Sequence, residues 1–408
     1  MAVTAGATEL APDLPGLAGQ DEGTILVLRA LGLGDALTAV PALRGVRRAW
    51  PGRRVLLAAP AEVGGWLRDL GLVDGVVPTR GLEPLVWAQE ARTLTGADPG
   101  HVAVNLHGSG PESHRVLLDT GPERVVAFAS GDAGVDGPDW DPDEHEVDRW
   151  CRLVTAAGGA CSREDLRLDP PGSRGRHVVV HPGAASGARR WPADRFAAVA
   201  RDLAAAGHDV VVTGGPDERD LCARVVADAD AALGGPAGAP DGTGSVTDTA
   251  GTLDLPALAD VVATARLVVC GDTGVAHLAT AYGTPSVVLF GPTPPATWGP
   301  AVDPERHAVL WHGDTEQGPA HAPDDAARGY RGDPHAADLD PALGRIAVAE
   351  VVAAACVTSR PWGAPSTSTY SASGTSWRKR RPAARSLLVG PQDPAEMRAG
   401  DEVRRVES

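Results

Sequence analysis

Residues Arg266 to Pro300 read RLVVCGDTGVAHLATAYGTPSVVLFGPTPPATWGP, and the order strand, glycine turn, helix, strand within them decides the fold. Leu267 to Cys270 is a short apolar, largely β-branched run. Gly271-Asp272-Thr273-Gly274 then opens a helix whose free N–H groups and dipole point at the strand's carboxyl end, a place suited to a diphosphate. Thr273 adds a hydroxyl, the bare backbone at Gly274 admits a ligand, and His277, one turn in, adds a proton or a positive charge. The plainer reading is an ordinary strand-to-helix turn with Asp272 as N-cap and His277 as a surface histidine.

Working outward, the same alternation recurs on both sides. Ile25 to Leu28, Arg54 to Ala58, Gly75 to Val77, Val102 to Asn105 and Val125 to Phe128 read as strands. Asp35 to Trp50, Val63 to Leu70 and His145 to Ala157 read as helices. A Pro/Gly break at residues 169 to 176 marks a hinge. After it the pattern restarts with strand His177 to His181, helix Ala193 to Ala206, strand Asp209 to Thr213 and helix Glu218 to Ala227. The expected fold class is α/β, two doubly wound parallel-sheet lobes facing a central cleft. Boundaries are a disordered lead-in over 1–23, lobes over 24–170 and 171–341, a closing helix over 342–358 and a disordered basic tail over 359–408. Within the second lobe, 303–341 reads as a long surface excursion whose histidines (His307, His312, His321, His335) are solvent-exposed and match no metal-ligand spacing.

A formal charge of −16 over 408 residues argues against a general nucleic-acid binder. Lys379 is the sole lysine, so a folded anion site draws on arginine, histidine or backbone. Five scattered cysteines, never spaced CxxC, suggest reduced thiols in a cytosol. The N-terminus lacks a signal-peptide pattern, and no apolar run approaches the ~20 residues of a membrane span. The expectation is a cytoplasmic monomer, with contact to the inner membrane face left open. The arginines of RGVRRAWPGRR, Arg44 to Arg54, suit an acidic or lipid-linked acceptor or are merely solvated.

Three loops fall at carboxyl ends of strands, where doubly wound sheets bind ligands. ALGLGDALT, Ala30 to Thr38, fails both nucleotide-fold patterns but carries Gly34 and then Asp35, either an N-cap or a general base exposed to the cleft. HPGAASGARRWP, His181 to Pro192, delivers Arg189 and Arg190 as guanidinium grips for a diphosphate, or as two solvated arginines. GDTGVAH is the third, with Glu218 of the neighbouring TGGPDE turn either a ribose acceptor or a first-turn glutamate. His107, after a front-lobe strand, lines the acceptor side or serves as a structural histidine.

Together ILVLRALGLGDALTAVPALRGVRRAWPGRR, HPGAASGARRWPADRF and GDTGVAHLATAYGTPSVVLFGPT resemble glycosyltransferase family 9, the heptosyltransferase-like enzymes of GT-B fold, from about Ile25 to about Cys356. The resemblance implies an N-terminal lobe for a glycan or lipid-linked acceptor and a C-terminal lobe for an NDP-sugar. It implies inverting transfer without a metal or further cofactor, with ADP-heptose the family's best-known donor. Carried over by motif, Asp35 is the catalytic carboxylate, Arg189 stands where the family usually has a phosphate-binding lysine, and Asp272, Thr273, Gly274 and His277 form the nucleotide-sugar motif. Two other readings share the architecture: another NDP-sugar enzyme (epimerase or hydrolase), and a non-catalytic nucleotide-sugar binding module.

Overall fold

The computed structural model describes residues 23–85, 100–234, 241–313 and 330–358. The expected lead-in, apart from Gly23, and the basic tail lie outside them, as does His321. The front lobe holds β1 (Thr24–Leu28), β2 (Arg54–Ala59), β3 (Gly75–Pro78), β4 (His101–Asn105) and β5 (Arg124–Val126), in the order β3-β2-β1-β4-β5. The rear lobe holds β6 (Val178–His181), β7 (Val210–Val212), β8 (Val246–Asp248), β9 (Leu267–Gly271), β10 (Ser286–Leu289) and β11 (His307–Leu310). Their order is β11-β10-β9-β6-β7-β8. Every pairing between these strands is parallel. Helices cover both faces, so the central strands are apolar throughout: VVVH of β6 and LVVCG of β9 are wholly buried.

The helices are α1 (Leu33–Thr38), α2 (Val40–Ala49), α3 (Ala61–Asp69), α4 (Glu112–Leu118), α5 (Glu146–Ala156), α6 (Ala193–Ala205), α7 (Arg219–Ala232), α8 (Leu255–Ala263), α9 (Gly274–Ala281), α10 (Pro295–Trp298), α11 (Pro341–Gly344) and α12 (Val348–Thr358). None among the described residues is long and apolar enough to cross a membrane. One apolar cluster runs from Ile25 through Trp150 to Val268 and Val288, so the two lobes share a core.

Several expectations need correcting. The single helix Asp35 to Trp50 is two, broken at Ala39, because Pro41 near the start of α2 has no N–H to continue the ladder. The single closing helix is likewise two, interrupted after Gly344. The excursion is no featureless surface loop. It contains edge strand β11, and its return folds back on the cleft, where Gly332 N–H donates to the Pro292 carbonyl at 2.9 Å and Ser186 Oγ to that of Pro334 at 2.6 Å. His307 is buried, with Nδ1 2.8 Å from Ser286 Oγ, rather than solvent-exposed. The link between lobes is pinned by Arg174, which donates to Thr284 Oγ1 at 2.8 Å and to the Gly283 carbonyl at 2.6 Å.

Candidate active site

Each sheet reverses its winding between two central strands, β1 and β4 in front, β6 and β9 behind, and a ligand crevice opens beyond such a reversal. The loops that leave those four strands face one another across a single cleft. Contact is closest where α1 meets α9. A Cβ on Gly34 would lie 2.9 Å from His277 Cδ2, and one on Gly274 would lie 3.0 Å from Leu33 Cβ. Two glycines let the lobes approach backbone to backbone.

Two cavities open at this junction. The first, about 550 Å³, is lined in front by Gly34 and Asp35 and behind by Arg189, Glu218, Asp272, Thr273, Gly274 and His277. The second, about 460 Å³, is lined by Asp35, His107, Glu146 and Trp140, with Arg331 from the returning excursion. Asp35 and Trp298 belong to both. Arg190 is in neither lining: it is exposed and donates to the Ala184 carbonyl at 2.8 Å, so the paired guanidinium grip reduces to Arg189.

Asp35 sits in the first turn of α1, whose N-cap is Gly32, so it is not the cap. Its position is set by Arg29, which is 1% exposed at the end of β1. The guanidinium donates to the Asp35 carbonyl (2.9 Å), Asp35 Oδ1 (3.3 Å), the Leu106 carbonyl (2.5 Å), Thr38 Oγ1 (3.1 Å) and Glu146 Oε1 (3.0 Å). Glu146, also buried, accepts from Trp150 Nε1 at 2.7 Å and pairs with Arg149. Burial raises the Asp35 carboxyl above its ordinary range, Arg29 opposes that, and Glu146 adds to it. The result is a carboxylate of increased basicity held in one orientation.

The rear wall is short of partners. Thr273, not Asp272, caps α9, and its hydroxyl finds no hydrogen-bond partner beyond an approach to the Cys270 thiol. Arg189 makes one long contact, Nη1 to the Asp272 carbonyl at 3.5 Å, and its buried Nε has no partner. Orphaned buried donors are rare because they cost free energy, so this pair marks a place for an anion. Asp272 is pushed up to about 6 by burial, against Arg189 and with Asp35. Burial pushes His277 down to about 4, so near neutral pH, of the two alternatives read from sequence, it offers an imidazole proton and not a positive charge. Glu218 Oε2 accepts from Gly215 N–H at 2.8 Å, and a Cβ on Gly183 would collide with its carboxylate.

Sequence reasoning missed Arg29, Glu146 and Trp298. Arg29 had a signal, a charge directly ending an apolar strand; Glu146 had none, since its partner lies 117 residues away. The arginines of α2 are engaged with neighbouring segments of the protein, Arg48 from an exposed position. Arg44 donates to the Arg167 carbonyl at 2.8 Å, Arg47 to Asp74 at 2.8 Å, and Arg48 pairs with Asp165.

The glycosyltransferase family 9 (heptosyltransferase) model matches residues 141–324, which carry the middle and rear loops just described. Over that segment the chain is similar to the family. Lipopolysaccharide heptosyltransferase 3 of Escherichia coli is 31% identical over 203 residues, 49% of this chain and 56% of the relative, so the match spans about half the relative's length. Among solved structures, a glycosyl transferase family 9 protein from Veillonella parvula superposes with TM-score 0.61 at 18% identity, over 84% of this chain and 99% of that one. E. coli ADP-heptose LPS heptosyltransferase II does so with TM-score 0.61 at 19% identity, over 82% and 98%. The chain therefore shares their GT-B fold of two parallel-sheet lobes.

Proposed function

We propose that this chain is a family 9 glycosyltransferase, inverting and metal-independent, that moves a sugar from an NDP-sugar to an acceptor hydroxyl. ADP-heptose is the donor to test first, because the name of one structural neighbour carries it. The observation that supports the reading is that Asp35 lines both cavities while the unspent Nε of Arg189 lies in the wall opposite. The diphosphate occupies the first cavity, against Arg189, the Thr273 hydroxyl and the first turn of α9. Glu218 takes the ribose hydroxyls. The acceptor occupies the second cavity, and its hydroxyl gives a proton to Asp35 as the oxygen attacks the anomeric carbon from the face opposite the leaving diphosphate. Charge gathering on the diphosphate meets a guanidinium and backbone dipoles already in place, while His277 contributes a neutral donor.

The test joins binding to turnover. ADP should raise the melting temperature of both the parent protein and Asp35→Asn, whereas sugar transfer from ADP-heptose should fall by orders of magnitude only in the variant. Unimpaired transfer by Asp35→Asn removes this carboxylate from the reaction. Indifference of the parent protein to ADP and to other nucleoside diphosphates removes the donor site.

A further inference from the structure

We propose that the second cavity selects an uncharged, hydroxyl-rich sugar as acceptor and rejects a sugar bearing a carboxylate or phosphate at the residue that enters it. The inference rests on the reading above, which puts the acceptor on this side of Asp35. Three arginines line the cavity, and each has its guanidinium engaged inside the protein. Arg29 donates to Asp35, Glu146, Thr38 and Leu106. Arg149 is buried and donates to the Asp141 carbonyl from Nε (3.2 Å) and Nη2 (2.9 Å), to the Glu144 carbonyl (2.8 Å), and to Glu146. Arg331 is exposed and bonds Asp143 at 2.5 Å. Burial and the Arg29 charge push His107 down to about 4, leaving it neutral.

An entering anion therefore meets the carboxylates of Asp35 and Glu146 and, among the described residues, finds no unspent cation to replace its water. The Arg331–Asp143 pair is solvent-exposed, so an anion drawn to that guanidinium would gain little over its own hydration. What the cavity does offer suits hydroxyls: the Asp35 carboxylate as acceptor, and Thr293 as a group that both donates and accepts. Trp140 and Trp298 add indole surface for the C–H faces of a sugar ring. At about 460 Å³ the space lies within the roughly 300–1,000 Å³ of small-molecule sites.

Saturation-transfer NMR on the full chain with ADP present tests this, using methyl α-D-glucopyranoside, its 6-carboxylate form and its 6-phosphate. The neutral glycoside should bind at least about tenfold more tightly than either charged probe. Ser109→Arg places an additional guanidinium at an exposed point of the lining and should tighten both charged probes by about tenfold, with little change for the neutral one. Equal or tighter binding of a charged probe to the parent protein overturns the proposal, as does binding of none of the three. ADP stabilisation is read separately. If it is absent while the neutral preference holds, the donor assignment fails and the cavity's selectivity stands.

Discussion

Arg29 and Arg189 both follow a central strand and both stand near a carboxylate, yet their hydrogen bonding differs. Arg29 donates to five acceptors within the front lobe, whereas Arg189 makes one long contact and keeps a buried Nε unpaired. A guanidinium whose donors are satisfied internally has little left for a ligand, and it acts by fixing its neighbours. One left short of partners has been desolvated without compensation and gains when an anion arrives. The front wall is thus arranged to hold a base, and the rear wall to hold a charged leaving group.

The largest effect that would break this comparison belongs to Asp35→Asn. Transfer should fall by about 10²–10⁴-fold, the usual worth of a general base, with the ADP dissociation constant unchanged. Next comes Glu146→Gln, which leaves Arg29 and Arg149 under-neutralised in a buried setting. Denaturant unfolding should show a loss of about 3 kcal/mol. Because Glu146 raises the Asp35 pKa, its removal should lower that pKa and move the acid limb of the rate profile to lower pH. A stable variant with an unmoved limb would sever the link from Glu146 to Asp35.

On the rear wall, Arg189→Ala should weaken ADP binding by about 10–100-fold, as expected for one charge-assisted contact, and, because the Arg189 charge helps to lower the Asp35 pKa, should move that acid limb to higher pH, opposite to Glu146→Gln. Calorimetric titration reads the first change and the pH profile the second. His277→Gln should change turnover near neutral pH least, since the imidazole is already uncharged there. Its folded pKa, about 4, lies below the ordinary 6.5, so the parent loses stability as pH falls through that interval, and the variant should lose less. Chemical denaturation at pH 7 and pH 4.5 measures the difference.

Much of the fold was legible. β1, β6 and β9 are apolar runs ended by glycine, histidine or arginine, and the helices after them carry apolar residues at helical spacing. The segments that escaped were short or atypical. β11 is four residues inside a Pro-, His- and Asp-rich stretch, and α8 was passed over although Asp254 caps it by accepting from Ala257 N–H at 2.9 Å. In the site, the loops around Asp35, Arg189 and Thr273 stood out because glycine and small residues at a strand's end have a local meaning. Arg190, beside Arg189 in sequence, turns to the Ala184 carbonyl, and adjacency alone did not reveal that.

The sequence by itself determined two α/β halves and a set of loops able to hold a diphosphate and a base, because periodicity and turn chemistry are local properties of the chain. Only the tertiary structure decided which charges remain available. Neutralisation depends on partners far apart along the chain, as with Arg29 and Glu146, and desolvation depends on what packs around them, as with His277 against Gly34 and Trp298. The same residue types therefore became a fixed support on one wall of the cleft and an open grip on the other.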